Sequence, residues 1–442
     1  MTKKIIVLGA GHVSKPCVQY LLAQPGYEVY VADICEESIK RVLAGKSNGH
    51  ALPVNNAVDE LPQLLRDIKP DALICLLPRP FMAPAAKCCI DAGVNYVNPS
   101  YVSPEMRTLD EAAKAKGVTL LCELGMDPGI DHMAAAQAVK KIHAEKGKIT
   151  EFELVCGALP AAKDNDNPIG YKLSWAPSSL IQASIRDAHV IIDGKQVDWL
   201  GGDTYRHCKL TEIDGLGGYE QYANADSVPY VEEYHIPEVK SIYRGTLRYI
   251  GWSDMIIAMQ DLGLYKPGER DFAGKTNADV TRELIGAKDG CDLKAAAAKF
   301  LGEKITSAVM MKLEWLGLFD ETPVPLKKGT MSQFVECVYN EKIQFGPNED
   351  DLSIMELRFT VEYPDRKALV VYTLIDFGNS DTDFSVARLT GLPPAMGAQL
   401  IIEGHIAEKG IINPSMPEVY EPELKALEKF NIKFKVTEKK AQ

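Results

Sequence analysis

The sequence predicts an α/β fold in which a parallel, doubly wound sheet is followed by a mixed α/β region with a helical insertion. Three observations predict it. Apolar β-branched runs alternate with helical patterns over residues 1–128, an arrangement that gives parallel strands and right-handed crossovers. Shorter strands with period-two alternation then recur between residues 129 and 384. Between those strands, residues 265–325 read almost wholly as helix.

The first strand is Lys4–Gly9, a buried-type apolar run that leads into Gly9-x-Gly11-x-x-Ser14 and then a helical segment. Glycines at these positions let the chain turn sharply and let backbone approach a pyrophosphate seated at a helix N-terminus. Ser14 replaces the third glycine, and a small residue there still allows close helix–strand packing. The second strand, Glu28–Ala32, ends at Asp33, which lies 22 residues beyond Gly11. An acid at that spacing binds the ribose 2′-hydroxyl of NAD. It also opposes the extra phosphate of NADP, and no base follows until Lys40 and Arg41. NAD is therefore the expected cofactor, with NADP disfavoured. Together these features predict an N-terminal Rossmann dinucleotide-binding domain.

Further strands read at Ala72–Leu77, Asn95–Asn98 and Thr119–Glu123, with helices at Val58–Ile68 and Pro84–Ala92. Ligands bind at the carboxyl ends of such strands. Those ends place Gly9, Gly11, His12, Val13, Asp33, Leu77, Pro78, Ser100 and Met126 as cofactor-binding candidates. Tyr101 and Asp127 stand at the same edge.

Beyond residue 129 the pattern gives a helix at Asp131–Glu145 and an alternating strand at Lys148–Cys156. An irregular Gly/Asn/Asp/Pro-rich stretch follows, from Gly157 to Pro177. Strands are expected at Val190–Ile192, Ser241–Tyr249, Lys342–Gln344, Leu352–Tyr363 and Ala368–Ile375. Helices are expected at Asn277–Ile285, Leu293–Leu301 and Ile305–Leu316, then at Phe384–Leu389 and Pro394–Glu403, with a charged tail at Glu438–Gln442. The expected division is a dinucleotide domain at 1–128 with a return at 385–442. A mixed α/β domain covers 129–264 and 326–384, and the helical subdomain covers 265–325.

The 442 residues are 46% apolar and 25% charged, with a formal charge of −12, which fits an ordinary soluble globular protein. That charge argues against nucleic acid or an anionic membrane as partner. No apolar run approaches the roughly 18 residues of a membrane-spanning helix. The ten cysteines show no CxxC pair or zinc spacing, and the eight histidines no ligand constellation, so no metal is expected. Free cysteines scattered through apolar stretches fit a reducing cytoplasm.

Several segments occur in one order across nearly the whole chain: Pro99–Met106 (PSYVSPEM), Glu123–Met133 (ELGMDPGIDHM), Cys156–Ala161 (CGALPA), Asp166–Trp175 (DNPIGYKLSW), Tyr243–Trp252 (YRGTLRYIGW), Glu314–Phe319 (EWLGLF) and Leu389–Ala398 (LTGLPPAMGA). In them the chain resembles the glutamate-forming saccharopine dehydrogenases, also called saccharopine reductases. The resemblance implies interconversion of saccharopine with glutamate and 2-aminoadipate semialdehyde, in lysine metabolism. It implies the stand-alone form rather than a fusion behind a lysine-ketoglutarate reductase, and a homodimer. Ser100, Tyr101, Asp127, Thr246, Leu247 and Arg248 fall at motif positions that bind substrate. Tyr101, Asp127 and Cys156 are the catalytic candidates. None has an ordinary pKa near neutral, so a proton-transfer role needs tuning by burial or charge. Asp127-Pro128-Gly129 reads equally as a turn and helix cap. Trp175 is expected to be partly core, with cofactor contact secondary.

One position departs from the family. A YPNRDS-like segment should supply an arginine to a substrate carboxylate, but here it reads Tyr222–Ser227 with Ala225 at that place. Arg79, Arg206 and Arg244 are the candidate replacements. Two other readings stay open at this point: reductive condensation of another amine and aldehyde, as in carboxynorspermidine synthases, and a nucleotide-binding scaffold without turnover.

Overall fold

A parallel sheet covered by helices on both faces needs apolar residues at successive positions, not at alternate ones. Ile5, Ile6, Val7 and Leu8 are all fully buried. Ile5 and Val7 join one core cluster with Val29, Val31 and Ile74, while Ile6 and Leu8 join the opposite one with Leu73, Cys75 and Tyr96. The computed structural model describes residues 2–440.

The first sheet has seven strands in the order Gly410–Ile412, Thr119–Leu121, Asn95–Val97, Ala72–Cys75, Lys3–Leu8, Tyr27–Asp33 and Gly49–Pro53. All its pairings are parallel. The order reverses at the first strand, so the crevice beyond Leu8 and Cys75 is the switch point where ligands bind. Two of these strands, Gly49–Pro53 and Gly410–Ile412, were not expected: both are short, and the first is only half-buried.

The second sheet has nine strands and is mixed. Ser241–Arg248 runs parallel to Lys148–Pro160 and antiparallel to Gly217–Ala223. Asp350–Glu362 lies antiparallel between Lys148–Pro160 and Lys367–Asn379. The helix Ile130–Ala144 covers one face, packing Ile130, Met133, Ala138 and Ile142 into a cluster with Phe152, Leu154 and Phe359. Helices Asn277–Ile285, Leu293–Leu301, Ala308–Trp315 and Met331–Lys342 surround a separate core around Trp252, Met310 and Phe334.

Four local expectations are corrected. The Gly157–Pro177 stretch is not irregular from its start, because the preceding strand continues to Pro160 in register with Asp351. Lys342–Gln344 is not a strand but the end of Met331–Lys342, a helix launched by a Thr330–Gln333 capping box and held by buried Phe334, Val338 and Tyr339. The two helices expected after Phe384 are one, Ser385–Ile402, which runs through Pro393 and Pro394 because residues on both sides of the pair are buried. The tail forms the strand Lys435–Lys440 and pairs with Ala368–Thr373 in the second sheet. The 385–442 segment therefore returns to the first sheet through Gly410–Ile412 but ends in the second, and residues 441–442 lie outside the described residues.

Among the described residues no helix is long and apolar enough to cross a membrane.

The helix Ser385–Ile402 starts on a buried carboxylate. Asp351 accepts from the backbone N–H groups of Ser385 (2.6 Å) and Val386 (3.0 Å), two of the donors that a helix start leaves unpaired. Burial pushes the Asp351 carboxyl up to about 6 in spite of those bonds. Because this folded value exceeds the ordinary 3.8, the stability it contributes is complete below about pH 4 and is lost as the pH rises through 6. Asp351→Asn keeps an acceptor but carries no charge. It should flatten the pH dependence of Tm between pH 4 and 6.5, read by thermal denaturation against the parent protein. A slope identical in both proteins refutes the assignment.

Candidate active site

The cofactor end is built by the first strand's exit. Gly9 has φ +105°, and a Cβ there would stand 3.1 Å from the Leu76 carbonyl carbon and 3.2 Å from Leu77 Cδ2. A Cβ on Gly11 would meet no atom within 4 Å, so that side of the turn is open to a ligand. Buried Ser14 donates its hydroxyl to the Gly9 carbonyl at 2.9 Å, closing the turn as the helix Ser14–Leu22 begins. Gly391 presses so closely that a Cβ there would lie 2.3 Å from the Val13 carbonyl oxygen. These residues fit a dinucleotide pyrophosphate: open backbone at Gly11, and a helix N-terminus without acids in its first turn.

Asp33 accepts from the N–H groups of Ala10 (2.7 Å) and Cys35 (2.8 Å), which holds its carboxylate beside the glycine turn. Arg41, distant in sequence reasoning, reaches the same turn and donates to the Ala10 carbonyl at 3.0 Å. Burial first, then Arg41, lowers the His12 pKa. Pro78 is exposed on the rim, beside the turn Arg79–Phe81.

The chemical end is organised by Arg244. Its Nη2 donates to Asp127 Oδ1 (2.8 Å), Asp131 Oδ2 (2.7 Å) and the Tyr101 hydroxyl (3.0 Å). Tyr101 in turn donates to Asp127 Oδ1 at 2.7 Å. The guanidinium also lies over the Tyr230 ring, 4.4 Å from its centroid. Burial and then the Asp131 carboxylate push Asp127 above the usual carboxylate range, against the pull of Arg244. Burial raises both the Tyr101 phenol and the Cys156 thiol well above their ordinary values. Both therefore hold their protons at neutral pH, and Asp127 is the group of the three most ready to exchange one.

Arg248 is different. It is 4% exposed and forms no ion pair with a carboxylate among the described residues. Its Nη1 donates to the Leu247 carbonyl at 2.8 Å, and its Nε has no partner. Tyr171 and Trp252 form its walls, with centroids at 4.8 and 5.5 Å. Trp175 donates to the Tyr171 hydroxyl at 2.6 Å, so it is half-buried against this wall. Thr246 pairs with Cys156 across the parallel strands. The Leu247 side chain is fully buried in the second domain's core, which leaves only its backbone for a ligand. Ser100 and Met126 are half-buried at the strand ends, with the Ser100 carbonyl accepting from Glu123 N–H and the Met126 carbonyl from Asp131 N–H.

Of the candidate replacement bases, Arg206 is committed to Gln260 and Asp261 at the surface, and Arg244 to the two aspartates. Arg79 is exposed. Sequence reasoning missed Arg186, whose Nη1 donates to Asn224 Oδ1 at 3.2 Å, next to Ala225. It also missed Asp131, Glu123, His132, Tyr230 and Tyr234 behind Arg244. The alternation of Arg244, Thr246 and Arg248 on one strand face was the available signal for Arg244. Among the described residues no group of three or more His, Cys, Asp or Glu could hold a metal.

Two family models match in succession: "Saccharopine dehydrogenase NADP binding domain" over residues 5–121 and "Saccharopine dehydrogenase C-terminal domain" over residues 125–432. The chain belongs to the saccharopine dehydrogenase family. It is 32% identical over 98% of both chains to "Saccharopine dehydrogenase [NADP(+), L-glutamate-forming]" of Pyricularia oryzae. It is also 32% identical to the mitochondrial alpha-aminoadipic semialdehyde synthase of Bos taurus, with 96% of this chain matching 46% of that one. Its structure is similar to that of the apo saccharopine dehydrogenase (L-Glu forming) from Saccharomyces cerevisiae, with TM-score 0.87 and 28% identity over 99% of this chain and all of that one. Membership makes the chain an oxidoreductase that binds a nicotinamide dinucleotide. The NADP named by the first family model and by the fungal relative stands against the NAD expected from Asp33.

The Asp127 turn is shaped by Gly129, which has φ +147° and where a Cβ would fall 2.1 Å from the Gly125 carbonyl oxygen. Gly129→Ala should destabilise the protein by about 1–3 kcal/mol in urea denaturation and lower turnover with it. An unchanged midpoint would show that the turn does not constrain the site.

Proposed function

We propose that this protein interconverts saccharopine with glutamate and 2-aminoadipate semialdehyde. Arg248 carries the reading. A buried guanidinium without a carboxylate partner is costly unless a ligand supplies the anion, and saccharopine carries three carboxylates. In the oxidative direction a carbon–nitrogen bond loses a hydride from carbon and a proton from nitrogen, and water then splits the imine into amine and aldehyde. The dinucleotide supplies the hydride acceptor. Asp127 takes the proton, held in place by Tyr101 and Arg244, while Cys156 stays a neutral thiol beside them. Arg186, next to Ala225, takes the place of the guanidinium absent at that position.

On the cofactor we propose NAD, because Asp33 stands at the ribose position and the residues after it, Ile34 to Glu37, include no base. NADP is the second reading, favoured by Arg41 on the glycine turn and by the names of the relatives. The reading includes a cytoplasmic enzyme, supported by ten free cysteines. It also includes a homodimer, for which the exposed side chains of Leu210, Ile375 and Phe377 on the second sheet supply apolar surface.

The test is steady-state oxidation of saccharopine against a panel of secondary amino acids, with NAD and NADP compared. Saccharopine should be the best substrate, and Arg248→Lys should raise its KM about ten- to hundredfold, since a point charge does not reproduce a planar fork. Arg186→Ala should raise the same KM by a similar factor, the worth of one charge-assisted bond. NADH affinity, read by fluorescence, should be unchanged in both. Preference for another amine overturns the substrate, and better turnover with NADP overturns the cofactor.

A further inference from the structure

Behind Arg244 lies a second layer of buried polar groups that the proposed reaction does not touch. His132 is fully buried at the start of the helix Ile130–Ala144. Its Nε2 faces Glu123 Oε2 at 3.3 Å and its Nδ1 faces Asp131 Oδ2 at 3.8 Å. Nδ1 also shares a short hydrogen bond with the Tyr234 hydroxyl, and the ring stacks on Tyr230 at 4.9 Å. Glu123, after the Thr119–Leu121 strand, uses its other oxygen to accept from the N–H of Val102 at 2.8 Å, the residue that follows Tyr101. From the short helix Tyr230–Glu233, Glu233 adds a further carboxyl that interacts with His132, Glu123 and Arg244, and Arg107 is the remaining cation nearby.

Charge counting makes this layer informative. Asp127, Asp131 and Glu123 are three buried carboxyl groups around a single arginine. Unpaired buried charge is strongly disfavoured. A second cation relieves the imbalance, and His132 is the one titratable base placed between Glu123 and Asp131.

We infer that His132 is a positioning residue, the second cation of this cluster, which holds Asp131 against Arg244 and so sets the proton affinity of Asp127. The direction of its titration agrees: burial works to lower the imidazole pKa, yet Asp131 and Glu123 raise it above 6.5. Glu123 in turn is held below the usual range, against its burial, by His132. The inference rests on the assignment of Asp127 to the proton, which is part of the function proposed above.

The experiment has two arms. In the first, histidine ring NMR of the unmodified protein follows His132, identified by its shift in Tyr234→Phe. The ring should titrate above pH 6.5, and a ring already neutral at pH 6 overturns the inference whether or not saccharopine is the substrate. In the second, His132→Gln removes the charge but keeps a hydrogen-bonding side chain. Loss of a neighbouring cation raises a carboxyl pKa, so the acid limb of the kcat/KM–pH profile for saccharopine oxidation should move up by about one unit. NADH affinity should be unchanged. An unmoved acid limb overturns the inference, while failure of the unmodified protein to oxidise saccharopine overturns the substrate and leaves the NMR arm as the deciding one.

Discussion

The buried bridge from Arg244 to Asp127 and Asp131 is the interaction on which the rest of the site depends. Arg244 belongs to a strand of the second sheet, Asp127 to the turn that leaves the first, and Asp131 to the helix between them. Tyr101, at the end of another strand of the first sheet, closes the arrangement. One guanidinium thus joins the two sheets at the carboxyl edge of the first. Removing one partner of such a pair leaves a buried charge uncompensated, at about 3–5 kcal/mol. The same bond that joins the domains therefore bears on the electrostatics of the Asp127 carboxyl.

Two arginines on one strand face have opposite states, and the contrast divides the site. Arg244 pairs through its Nη2 with two protein carboxylates while its Nε and Nη1 stay without partners, whereas Arg248, four residues on, has an aromatic cage and no carboxylate. A guanidinium paired with protein carboxylates ties elements together; a buried one without a carboxylate is left to take an anion. The aromatic walls suit the second role, since they leave the cation poorly hydrated and attract it through their faces. The carboxylate-paired and the carboxylate-free guanidinium thus stand two periods of side-chain alternation apart along Ser241–Arg248.

Much of this was legible in the sequence where local rules apply. The glycine turn, Asp33 and the first sheet's central strands follow from apolar runs and spacing, and Tyr101, Asp127, Cys156 and Arg248 from motif positions. What was not legible depended on contacts far apart in the chain. Gly49–Pro53 and Gly410–Ile412 are strands because the sheet offers them an edge, not because five and three residues announce one. Helix Ser385–Ile402 overrides two prolines through burial. Arg186 is 38 residues from Asn224, and Arg244 is 113 from Asp131. No spacing rule joins such pairs.

The helix Ser385–Ile402 shows how those long-range contacts serve the chemistry. Its start is pinned by Asp351 in the second sheet, and its middle packs against the glycine turn through Gly391 and Val13. Gly397 faces Leu124, one residue beyond Glu123; a Cβ there would stand 2.2 Å from the Leu124 side chain. A single helix therefore touches the glycine turn, the strand end that precedes Asp127, and the second sheet. Two prolines in its interior forgo backbone hydrogen bonds, yet a break at that point would uncouple all three. Burial on both sides of the prolines offsets their cost and keeps the helix continuous, and the continuous helix in turn links the dinucleotide turn to the strand end behind the Arg244 bridge.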